Sequence, residues 1–213
     1  MTMKFLSIIL ISFSMMSCAQ SDVSNSAHNS NSSEMDQPLD SLQTAYFASG
    51  CFWCVEAVFE SVAGVQEAVS GYSGGPSENP TYEEICTGKS GHAESVKVYY
   101  DSSMVSYETL VEVFFNSHDP STLNRQGPDS GTQYRSAIFY ETDAEREVSN
   151  DAINALRKNG TKVTTTVSPL DVFWDAESYH QDYERNHPNQ SYIRSVSIPR
   201  LNAFKAKMPE VLK

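Results

Sequence analysis

Two cysteines three residues apart, Cys51 and Cys54, are the side chains in this sequence best suited to chemistry. Residues 44–49 read as a strand, Gly50 breaks it, and Phe52, Val55, Glu56 and Phe59 follow at helical spacing. Cys51 is therefore expected at or next to a helix N-terminus, where unpaired backbone N–H groups and the helix dipole favour negative charge. A thiol so placed loses its proton more readily and becomes a nucleophile. Cys54 follows one turn later on the same face. A 51–54 disulfide requires the first helical turn to adjust. The pattern predicts one attacking sulfur with a second within reach.

A C-x-x-C pair also occurs in zinc sites and in structural disulfides. His92-Ala93-Glu94 together with the pair has a partial likeness to the zinc deaminases. In that signature, however, the cysteines follow the His motif and begin with Pro-Cys, whereas here they precede it. No metal is expected. A papain-like reading, with Trp53 beside a cysteine and His180 far downstream, lacks the Cys-Trp order. Glu94 has two readings: a solvated edge carboxylate, or a general acid whose pKa burial has raised. Tyr82 and Tyr134 each follow a polar turn and read as packing residues with satisfied hydroxyls. Asp129 lies in Gln126-Gly127-Pro128-Asp129-Ser130-Gly131, a turn by composition. Phe52 and Trp53 are either core residues or the lining of a small apolar pocket suited to a methyl-sulfur group.

The elements that must position these residues follow from periodicity and caps. After the Cys51 helix, residues 65–69 read as a strand and residues 71–75 as a glycine-rich loop. Residues 81–86 read as a helical turn. Residues 93–100 alternate as a strand with one buried face. Ser106 can cap a helix with an apolar stripe of Tyr107, Leu110, Val111 and Phe114. A polar loop covers residues 118–133, and residues 134–140 form a strand. Thr142 and Glu145 form a capping box for a helix that ends at Asn159-Gly160. Residues 164–167 suit one more short strand, residues 177–185 a helix, and nothing firm follows Ile193. The core order β-α-β-β-α-β predicts an α+β fold, a two-layer ferredoxin-like sandwich with long loops.

The chain has 213 residues, four cysteines and a net charge of −12. That charge argues against nucleic acid as a partner. Lys4 and the short apolar run 5–13 read as a secretory signal, too short to span a bilayer. Its end, Ser17-Cys18, resembles a bacterial lipoprotein signal in which the cysteine is lipidated; an ordinary cleaved signal is the alternative. Residues 1–18 are thus a signal segment and residues 19–43, rich in Ser and Asn, a flexible tether. Residues 44–213 suit one catalytic domain. The expected location is the cell envelope, periplasm or cell surface, with Cys18 as a lipid anchor.

The motifs taken together resemble the A-type peptide methionine sulfoxide reductases. Gly50-Cys51-Phe52-Trp53, Gly71-Tyr72-Ser73-Gly74-Gly75, Asn79-Pro80-Thr81-Tyr82, Cys86-Thr87-Gly88 and Gly91-His92-Ala93-Glu94 follow in family order. So do His118-Asp119-Pro120, Arg125-Gln126-Gly127, Gly131-Thr132-Gln133-Tyr134-Arg135 and Glu177-Ser178-Tyr179-His180-Gln181. The resemblance implies reduction of methionine S-sulfoxide, free or in proteins. It implies Cys51 as nucleophile, Glu94 as the acid for the sulfoxide oxygen, Tyr82 and Tyr134 as hydrogen-bond donors to it, Phe52 and Trp53 around the substrate methyl, and Asp129 in later steps. It implies no bound cofactor and a thioredoxin-like or small-dithiol electron donor. Many members carry resolving cysteines near the C-terminus, and here none follows Cys86. Cys54 is the expected resolver, and Cys86, expected in the core, is the alternative. A monomer is expected. A non-catalytic lipoprotein that binds methyl-sulfur groups and a thioredoxin-like disulfide exchanger are the rival functions.

Overall fold

Strand β1 (Gln43–Ser49) and helix α1 (Phe52–Glu60) are joined only by Gly50 and Cys51. Gly50 makes that abrupt turn at φ +90°, a conformation that costs a residue with a Cβ. The computed structural model describes residues 38–213; the expected signal and most of the tether lie outside the described residues. A short 3-10 turn (Leu39–Ser41) precedes β1, which starts at Gln43.

The elements continue as β2 (Val65–Ser73), α2 (Tyr82–Cys86), β3 (Ala93–Tyr100) and α3 (Tyr107–Asn116). A two-strand hairpin of β4 (Arg125–Gln126) and β5 (Asp129–Ser130) lies within the expected loop. Then come β6 (Ser136–Tyr140), α4 (Asp143–Lys158), β7 (Thr166–Pro169), β8 (Phe173–Asp175), α5 (Tyr183–Asn186) and α6 (Ile198–Lys207). The large sheet has the order β7-β6-β1-β3-β2-β8. Its central four strands, all antiparallel neighbours, are the β-α-β-β-α-β core expected from the sequence. Strand β7 extends it in parallel beside β6, and β8 extends it antiparallel beside β2.

The caps explain where helices begin. Thr81 and Thr142 each form a full capping box, with Glu84 and Glu145, and Ser106 accepts the Thr109 N–H. The core lies between the sheet and α1 and α3, around Phe47, Val55, Phe59, Val96, Leu110 and Phe114. Helix α1 is buried on almost every side, because α5 and α6 cover the face turned away from the sheet. Its sulfurs therefore sit inside the protein.

Several expectations fail for identifiable reasons. Gly71 lies in β2, not in a loop: a Cβ there would run into the Phe173 ring and the Trp174 carbonyl of β8, so the glycine permits close strand approach. Strand β3 buries Glu94 and Ser95 as well as Val96 and Val98, since it is central and covered on both faces at that end. Residues 177–185 are not one helix: a 3-10 turn (Ser178–His180) gives way to Asp182 at φ 55°, after which α5 starts. Tyr134 ends a 3-10 turn (Thr132–Tyr134) and precedes β6. Beyond Tyr192 a π-turn (Ile193–Ser197) runs into α6, with Pro199 in its first turn.

Candidate active site

Cys51 is the N-cap of α1, with non-helical φ −52° and ψ 123°. The N–H of Phe52, among the first donors of the helix left without an intrahelical partner, is taken by the Glu94 carboxylate at 3.0 Å. Glu94 comes from the start of β3, so strand and helix terminus converge on one point. Its side chain is only 1% exposed. Burial pushes its pKa up to about 8, against the lowering pull of the Phe52 N–H, with Asp129 and Cys54 adding to the rise. At neutral pH Glu94 holds a proton.

The two thiols influence each other's ionisation. Burial, the Cys54 contact and nearby Glu94 raise the pKa of Cys51, whereas the Cys51 contact, Arg200, Ser197 and Tyr192 lower that of Cys54 against the effect of burial. Burial at Cys51 thus opposes the helix terminus, which by itself favours the ionised thiol. The two thiols interact closely enough to titrate as a pair. The Cys54 N–H also donates to the Cys51 carbonyl at 3.1 Å. Because Cys51 lies outside the helical dihedrals, the turn between the sulfurs is free of a helical constraint at one end.

Tyr82 opens α2, and Tyr134 stands in the turn before β6. Burial raises the pKa of each hydroxyl, and the charge of Glu94 is the next cause for both. Both stay protonated and able to donate. Phe52 is 1% exposed and its ring stacks on Tyr82 at 6.4 Å. Trp53, partly exposed, has Tyr183 stacked on its face at 3.7 Å. Asp129, on β5, accepts the Tyr192 O–H at 2.5 Å, and the same hydroxyl lies 3.8 Å from Cys54 Sγ. The sequence-predicted set Cys51, Phe52, Trp53, Cys54, Tyr82, Glu94, Asp129 and Tyr134 is thus gathered from α1, α2, β3, β5 and the turn before β6.

One expectation needs correction and one lies out of reach. Cys86 is exposed, not a core thiol. His92 is held within the fold: its Nδ1 accepts the Gly75 N–H at 3.2 Å and its Nε2 meets the Ser77 carbonyl at 2.8 Å. Cys18 lies outside the described residues.

Tyr192 and Arg200 were not legible beforehand. Arg200 donates to the Ser117 carbonyl at 2.8 Å and to Ser49 Oγ at 3.0 Å, which sets its guanidinium beside the β1–α1 turn. Both residues come from the C-terminal segment, where no apolar period announces a helix. Glu56 was seen only as a helix position. It is buried, accepts hydrogen bonds from Ser70 and from the Asp182 N–H, and has its pKa pushed up to about 8, chiefly by burial.

Known proteins resemble this chain in sequence and in fold. The family profile described as peptide methionine sulfoxide reductase matches residues 43–211. The peptide methionine sulfoxide reductase MsrA of Pasteurella multocida is 48% identical over 172 residues, 80% of this chain and 99% of that protein. The enzyme of the same name from Saccharolobus solfataricus is 45% identical over 173 residues, 81% of this chain and 98% of its own length. Among solved structures, methionine sulfoxide reductase A of Corynebacterium diphtheriae superposes with a TM-score of 0.65 at 36% identity, covering 73% of this chain and 78% of that one. Mxr1 from Saccharomyces cerevisiae in its reduced form gives a TM-score of 0.63 at 32% identity, covering 70% and 87%. This agreement favours neither a non-catalytic binding protein nor a disulfide exchanger. With sequence, fold and site in accord, the chain belongs to the peptide methionine sulfoxide reductase family.

Proposed function

We propose that this reductase acts on the S-epimer of methionine sulfoxide through Cys51, with Glu94 as proton donor. The observation that carries the reading is the junction at the α1 terminus, where a neutral carboxyl and the nucleophile's helix share one N–H at 3.0 Å. A sulfoxide sulfur is a poor electrophile until its oxygen gains a proton or strong hydrogen bonds. Glu94 supplies the proton, and Tyr82 and Tyr134 donate to the same oxygen as charge develops. Cys51 attacks as the thiolate, and the proton it gives up replaces the one that Glu94 delivers to the sulfoxide oxygen. Phe52 and Trp53 hold the substrate methyl against apolar surface.

The first half-reaction transfers oxygen: methionine leaves and Cys51 becomes a sulfenic acid. Cys54 then attacks that sulfur, water departs, and a 51–54 disulfide forms. Asp129 and Tyr192 hold a hydroxyl beside Cys54 for this step. An external dithiol, thioredoxin-like or small, takes up the disulfide's oxidation and returns both thiols. Every role is filled by one chain, which supports a monomer. The sequence of residues 1–18 supports export and anchoring at Cys18, and thus repair of oxidised envelope proteins.

An epimer-resolved assay with dithiothreitol tests the reading. The S-sulfoxide is expected to be consumed and the R-sulfoxide spared, with Cys51→Ser inactive and Glu94→Gln strongly impaired. Turnover that survives Cys51→Ser, or equal use of both epimers, contradicts it.

A further inference from the structure

His180 is buried, with 1% of its surface exposed. Four aromatic rings surround it: Tyr179 at 4.1 Å between centroids, Tyr82 at 4.4 Å, Phe52 at 4.9 Å and Trp53 at 5.8 Å. The indole Nε1–H of Trp53 donates to His180 Nδ1 at 3.1 Å. An indole nitrogen can only donate, so Nδ1 must present its lone pair and the proton of the neutral ring sits on Nε2. Nε2 faces the Glu177 carboxylate 3.9 Å away. Glu177 is itself fixed, accepting the Tyr82 N–H at 2.9 Å and the Tyr72 O–H at 2.8 Å. The indole is therefore held on three sides: its N–H by His180, its face by Tyr183 at 3.7 Å, and its edge by Tyr192 at 6.1 Å.

We propose that His180 is a positioning residue whose neutral Nδ1 latches the Trp53 indole into the wall of the methyl pocket, and that protonation of His180 releases the latch. The proposal rests on the reading of Trp53 as a substrate-pocket residue. A second proton can only enter at Nδ1, where it turns the acceptor into a donor aimed at the indole N–H. Two carboxylates, Glu177 and Glu83, pull the His180 pKa up, but burial outweighs them and keeps it below the ordinary value. The remaining neighbours, Tyr82, Tyr179, Phe52 and Trp53, bring no charge at neutral pH. The latch is thus closed at neutral pH and opens on acidification. Its effect falls on substrate binding, because Trp53 contacts the methyl group and not the S–O bond.

The chain has two tryptophans, so in a Trp174→Phe background the single indole N–H resonance reports on Trp53. That resonance is expected downfield at neutral pH and shifted upfield as the pH falls. His180→Phe keeps an aromatic ring and removes the acceptor; it should shift the resonance upfield at all pH values and raise KM roughly five- to tenfold, with kcat within about twofold. His180→Asn places a carbonyl near the Nδ1 position without a titrating group. It should restore KM and abolish the acid-side rise in KM. An indole resonance that titrates alike in His180→Asn, or an unchanged KM in His180→Phe, overturns the proposal. The resonance is read without substrate, so a failure of the proposed reaction leaves this arm decisive.

Discussion

The Glu94 carboxylate caps the first N–H of the helix that begins at Cys51, at 3.0 Å from Phe52 N. One oxygen is committed to the helix and the other is left to carry a proton to substrate. The same helix terminus that would favour an anion is thus partly occupied by a carboxyl group. Burial outweighs the N–H and keeps that group neutral near pH 7, with its pKa at about 8.

Activity should therefore decline on the alkaline side as Glu94 ionises, with a limb near its folded value of about 8. Glu94→Gln keeps the acceptor for Phe52 N but has no acidic proton; kcat should fall about a hundredfold to a thousandfold, and the alkaline limb should disappear. A pH–kcat profile of both proteins checks this. An unaltered limb in the variant assigns the ionisation to another group.

The same carboxyl should weaken the fold. Its pKa is raised from 4.5 to about 8, so across that window the unfolded chain ionises freely and the folded one does not. Stability is lost as pH rises through it. Glu94→Gln should be more stable than the parent by ~1–3 kcal/mol at neutral pH, with the gain vanishing near the unfolded value of 4.5. Denaturant titrations at several pH values decide it; a gain independent of pH contradicts the assignment.

Resolution should depend on Cys54 and its neighbours. After one equivalent of S-sulfoxide, Cys54→Ser should form no intramolecular disulfide, as read by mass spectrometry. Tyr192→Phe removes the hydroxyl 3.8 Å from Cys54 Sγ and should slow disulfide formation about tenfold while sparing methionine release. A disulfide in Cys54→Ser would instead give the role to Cys86, which is exposed.

The turn that presents Cys51 should tolerate no side chain at Gly50. With φ +90°, an added Cβ would lie 2.6 Å from Gln126 Cβ and 2.8 Å from its Cγ. Gly50→Ala should destabilise the protein by ~2–4 kcal/mol and lower activity, because the hairpin bearing Asp129 must move. A loss of less than ~1 kcal/mol in equilibrium unfolding would show that the turn has slack.

What the sequence revealed and concealed follows from the range of each signal. The strand–Gly–helix passage around Cys51 and the caps at Ser106 and Thr142 are local, and the structure contains them where expected. Gly71 was misread because its reason is a partner strand a hundred residues away, whose Phe173 leaves no room for a Cβ. Tyr192 and Arg200 carry no local signal, since their segment is a π-turn and a weakly patterned helix that gains meaning only by covering α1. The ionisation of the thiols was concealed for a related reason. Helix position suggests a low pKa for Cys51, but the burial and sulfur pairing that reverse it appear only after α5 and α6 dock.

The central claim is that oxygen moves from substrate to the sulfur of residue 51. Fully reduced protein carrying Cys54→Ser and Cys86→Ser should be mixed with one equivalent of methionine S-sulfoxide, without reductant, and quenched with a sulfenic-acid trap for peptide mass analysis. The account predicts one methionine released per chain and the trap attached to Cys51 alone. Methionine formed without modification of Cys51, or no methionine formed while the protein remains folded, would contradict it.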